Sequence, residues 1–131
     1  MMPLLFLAAV SADLDSLDQA VTHCERSAVN PIFAGEAGRR SEFLLDAYRE
    51  QEAIVNDRLA LAGQRRTLRQ AGSVRASEQK QLDLQQADLD DRQKALNDKR
   101  MLEGIREDTM DSLRHYFLLN CPAGGGDSKA L

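Results

Sequence analysis

The chain has no tryptophan, two tyrosines and four phenylalanines, so aromatic residues make up only 5% of it. With β-branched residues also scarce, little favours a β-sheet. Only two cysteines are present, Cys24 and Cys121, and they form no CxxC pair, which excludes a thioredoxin-type redox motif. Only three prolines occur, so long helices are permitted over most of the chain. There is no apolar run of about 18 residues, which excludes a complete transmembrane helix. Nucleophile elbows, phosphate loops, HExxH motifs and EF-hand loops are all missing, and no pair of carboxylates stands out as a matched acid and base. Enzymatic chemistry therefore has no visible carrier, and the expectation is a non-enzyme without a cofactor.

What remains is 131 residues, 43% apolar and 29% charged, with a net charge of −4. One small domain fits that length. Abundant Leu, Ala, Gln, Arg and Asp favour helix. The expected fold is all-α: an elongated, coiled-coil-like antiparallel hairpin with a short third helix packed at its open end. The spans are residues 13–28, 41–70 and 74–119, within a domain of residues 13–121.

The first helix has Leu14, Leu17, Val21, Cys24 and Ala28 on one stripe. Asn30-Pro31 should end it, because the residue before proline disfavours the α region. Residues 29–40, with Gly35, Gly38 and the apolar pair Ile32-Phe33, read as a connector. Ser41 is a suitable N-cap for the second helix. Ala71-Gly72-Ser73 reads as the hairpin turn, Gly72 closing one helix and Ser73 capping the next. The third helix carries Leu82, Leu89 and Leu96 at seven-residue steps, continuing through Leu102, Ile105, Met110, Leu113 and Phe117.

In a hairpin turning at Gly72, facing residues have numbers adding to about 144. Leu82 then meets Ala62, Leu89 meets Val55, Leu96 meets Tyr48, and Met101 meets Phe43. Cys24 and Cys121 fit the same rule, which predicts a disulfide across the open end. One facing helix, which offers only small Ala62 to Leu82, covers this seam poorly, and that suggests a homo-oligomer formed to bury Leu82, Leu89 and Leu96.

Residues 1–12 are mostly apolar, and Val10-Ser11-Ala12 resembles a signal-peptide cleavage site, although a basic leading segment is missing. Together with the cysteine pair, this predicts a secreted or periplasmic protein. Residues 122–131, with three consecutive glycines, read as a flexible tail.

Charge is uneven. From Arg58 to Lys80 there are six basic residues and one acid. Arg65, Arg66, Arg69 and Arg75 would give the turn a basic tip, suited to another protein or an anionic envelope surface. Arg65, Arg66 and Arg69 also complement the dipole at the end of the second helix as ordinary solvated residues. Ile32 and Phe33 in the connector are the other expected partner-binding residues. Nucleic acid is not expected, given the acidic net charge and the separation of aromatics from bases. An alternative is a metal- or redox-responsive module using His23, Cys24, His115 and Cys121. The residue types suit zinc, but His23 and Cys24 are sequence neighbours and His115 and Cys121 are six apart, unlike zinc-finger spacing.

Overall fold

A computed structural model describes residues 14–72 and 75–122. The expected signal segment at residues 1–12, the Ser73 cap and residues 123–131 of the expected tail lie outside the described residues. The fold is all-α, a two-helix hairpin with a short additional helix. Helix α1 covers residues 14–22, α2 is Arg26–Gln70 and α3 is Ala76–Asn120. Gly72 has φ +80°, the left-handed conformation that closes α2.

Helix α1 ends earlier than expected, at Cys24 instead of Asn30-Pro31. The amide of Glu25 bonds the carbonyl of Ala20 at 2.9 Å, and the amide of Cys24 bonds that of Val21 at 3.1 Å. This is a Schellman motif, with Cys24 at φ +52° in the place glycine normally takes.

The expected connector is helical. Residues 29–40 belong to α2, and Pro31 lies inside the helix. Pro31 is only the sixth helical residue, so its missing amide removes a single early bond, the one to the carbonyl of Ser27. Val29, Phe33, Glu36 and Arg40 recur at steps of 4, 3 and 4, and all are buried or half-buried. Tertiary packing of that face outweighs the weak propensity of Gly35 and Gly38.

The residues form two compact units. The first takes residues up to Arg40 and from Glu103 onward; the second is Ser41–Leu102. In the first, Leu17, Ala20 and Val21 of α1 pack with Val29, Met110, Phe117 and Cys121. Phe33 stacks obliquely on Phe117, ring centroids 6.2 Å apart, and the Arg26 guanidinium lies 5.0 Å from the Phe117 centroid. Cys24 and Cys121 are joined by a disulfide, with sulfurs 2.03 Å and Cα atoms 5.5 Å apart.

In the second unit α2 and α3 pack antiparallel in two clusters. Leu61 packs with Leu82 and Leu89, flanked by Leu68; Ala47 and Ile54 pack with Leu96, flanked by Phe43. The seam on α2 is therefore Ala47, Ile54 and Leu61, one residue earlier than the expected Tyr48, Val55 and Ala62. A one-residue slip turns a helix by about 100°. Each correct residue has an apolar neighbour, so the facing rule alone could not choose between them. Packing chooses Ile54 and Leu61, which fill the seam where Ala62 would leave it thin. Leu82, Leu89 and Leu96 are consequently buried within the chain. They do not need a second copy, contrary to the expected reason for self-association.

This register is testable. Ile54 is completely buried and Val55 is 45% exposed. Ile54→Ala should lower unfolding stability by about 2–4 kcal/mol, and Val55→Ala by less than about 1 kcal/mol. Urea titration of both variants would reverse this assignment of the seam if Val55→Ala were the costlier.

Candidate interaction surfaces

The α3 seam keeps its seven-residue step beyond Leu96, but the next residue is Glu103, followed by Met110 and Phe117. Leu102 and Ile105, expected in the stripe, are exposed, whereas Glu103 and Arg106 are buried. In the first unit a layer of charge thus interrupts the apolar packing. Side-chain exposure is 11% for Glu36, 10% for Glu103 and 9% for Arg106. Arg39 donates to Glu36 at 2.7 Å and to Glu103 at 2.5 Å. Arg40 donates to Glu36 at 2.9 Å and to Asp111 at 2.9 Å. Arg106 donates to both Glu36 oxygens, at 3.1 and 3.2 Å.

Burial pushes the Glu36 carboxyl up, but the hydrogen bonds from Arg39, Arg40 and Arg106 outweigh it and lower its pKa from 4.5 to about 2. Hydrogen bonds that Arg39 donates to Glu36 and Glu103 raise its own pKa. Burial, reinforced by a hydrogen bond with Glu103, raises the pKa of Glu107. Among the described residues, no buried side-chain nitrogen or oxygen lacks a partner. The layer is therefore internally satisfied, and its geometry suits a structural element.

The expected metal or redox group is placed differently. The sulfurs of Cys24 and Cys121 are bonded to each other. The exposed His23, in the turn that ends α1, holds its Nδ1 at 2.8 Å from the carbonyl of Gln19. His115 is exposed on α3. Among the described residues, no group of three or more His, Cys, Asp or Glu is positioned to hold a metal.

Of the expected partner-binding residues, Phe33 is half-buried against the first unit's core, whereas Ile32 is exposed. Arg65 donates to Asp83 at 3.1 Å. Arg66, Arg69 and Arg75 are exposed, Arg69 lying in the last turn of α2. These three are the solvated part of the basic group.

The sequence reading missed a second apolar face. Leu44, Tyr48, Val55 and Leu59 of α2 are 45–67% exposed. They follow one another at steps of 4, 7 and 4, and Ala62 continues the series after 3. Their spacing is visible in the sequence, but the facing rule places Tyr48, Val55 and Ala62 in the seam. Among the described residues, no helix is long and apolar enough to cross a membrane. No protein-family model matches this chain, and no match was found among curated proteins or solved structures.

Proposed function

We propose that this chain is an exported, non-enzymatic protein-interaction module (an adaptor, chaperone-like protein or inhibitor) that works from the outer face of α2. The observation that carries this reading is the exposed stripe Leu44, Tyr48, Val55 and Leu59. A helix with two apolar faces is suited to two neighbours, and α3 covers only the other one. The disulfide supports an oxidising compartment, secreted or periplasmic. Arg66, Arg69 and Arg75 supply a second contact, to an acidic protein or an anionic envelope surface, that weakens with salt.

The test is photo-crosslinking in the native envelope. A photoreactive residue replaces Leu59, Arg69 or, as a control, exposed Asp91. A discrete adduct with a second polypeptide is expected from Leu59, and none from Asp91. Absence of adducts from Leu59 and Arg69 alike would overturn the reading.

A further inference from the structure

In the second unit, α2 carries two apolar stripes. Ala47, Ile54 and Leu61 face α3 in the packed clusters. Leu44, Tyr48, Val55, Leu59 and Ala62 fall within a sector of about 60° at 100° per residue, roughly 100° around the helix from the first stripe. The stretch from Ser41 to Ala62 is about 32 Å long. Isolated exposed leucines need no explanation, but a stripe of about five turns does.

The charges beside this stripe identify its occupant. Glu52 lies at its solvent edge and Arg49 about 60° further round the helix, both exposed. Neither forms an ion pair among the described residues, unlike Arg58, Arg65 and Arg92 of the same unit. Resting on the reading of this face as a docking surface, we infer that its occupant is the same stripe of a second copy, running antiparallel, with the two-fold axis between Gln51 and Glu52.

Facing residues then have numbers adding to 103. Leu44 meets Leu59 of the second copy, Tyr48 meets Val55, and Ser41 meets Ala62. Each apolar residue gains an apolar or small partner, and the axis repeats every contact twice, as an isologous interface requires. In an antiparallel pair the same flank of each helix faces its symmetry mate. Arg49 of each copy therefore comes beside Glu52 of the other, giving two equivalent ion pairs. One helix face is at the small end of specific interfaces, so association belongs in the micromolar range.

Sedimentation of the full, disulfide-intact chain from roughly 5 to 200 µM tests this. The average mass should rise toward twice the monomer. Leu59→Asp should leave a monomer with unchanged helicity. Arg49→Glu should weaken association by about tenfold at low salt, and Arg49→Glu with Glu52→Arg should recover it. A wild-type monomer at every concentration overturns the inference, as does a dimer indifferent to Leu59→Asp or a charge swap that fails to recover. If the purified chain stays monomeric while Leu59 still crosslinks to another envelope protein, the docking-face reading stands and only the choice of a second copy fails.

Discussion

Reducing the Cys24–Cys121 bond should lower stability by about 4–5 kcal/mol. The two cysteines are 97 residues apart, and opening a loop of that length restores much of the unfolded chain's freedom. Urea unfolding with and without reductant, and of Cys24→Ser with Cys121→Ser, measures the loss. Equal midpoints would show that the helices hold the chain without the bond. Position 24 has a further requirement, because its backbone is left-handed at φ +52°. Cys24→Gly should therefore be more stable than Cys24→Ser by about 1 kcal/mol, although both lack the bridge.

Removing the acid at the centre of the charge layer should have the next largest effect. Glu36→Leu leaves Arg39, Arg40 and Arg106 without their shared carboxylate, and a loss of about 3–5 kcal/mol is expected in thermal or urea unfolding. A loss below about 1 kcal/mol would make the layer a surface feature.

The pH dependence has a defined direction. The pKa of Glu36 is about 2 in the folded chain, below its ordinary 4.5. Its ionised form therefore stabilises the fold above about pH 4.5, and this contribution disappears as pH falls toward 2. After screening of the partly exposed arginines, the effect is about 2 kcal/mol. Unfolding temperatures measured across that interval should fall steeply in the wild type and less steeply in Glu36→Gln. Parallel slopes would exclude Glu36 as a source of acid sensitivity.

The turn and the disulfide were legible in the sequence for the same reason: Gly72 marks a fold-back point, and Cys24 and Cys121 lie at matching distances from it. The helix through residues 29–40 was not, because Pro31, Gly35 and Gly38 carry breaker chemistry that only distant packing overrides. Local propensity also hid the end of α1. A cysteine at φ +52° is uncommon, and what holds it is a bond to a residue 97 positions away. On α2 the apolar doublets Ile54-Val55 and Leu61-Ala62 left the seam ambiguous by one residue, and that ambiguity concealed the outer stripe. The charge layer had a readable signal. Continuing seven-residue steps from Leu82, Leu89 and Leu96 arrives at Glu103, but following hydrophobicity leads away to Leu102 and Ile105.

A strictly periodic apolar seam has a translational ambiguity: sliding one helix by seven residues replaces each contact with another of the same kind. Glu103 breaks that equivalence. Displaced by one repeat toward the start of α2, it would sit against Val29 and Phe33, without Arg39, which now pairs with it. The burial of an unpaired carboxylate costs several kcal/mol, far more than a leucine gains by exchanging one apolar neighbour for another. The charge layer thus acts as an index mark: apolar residues make the helices adhere, and the ions at Glu36, Arg39, Glu103 and Arg106 select which repeat faces which.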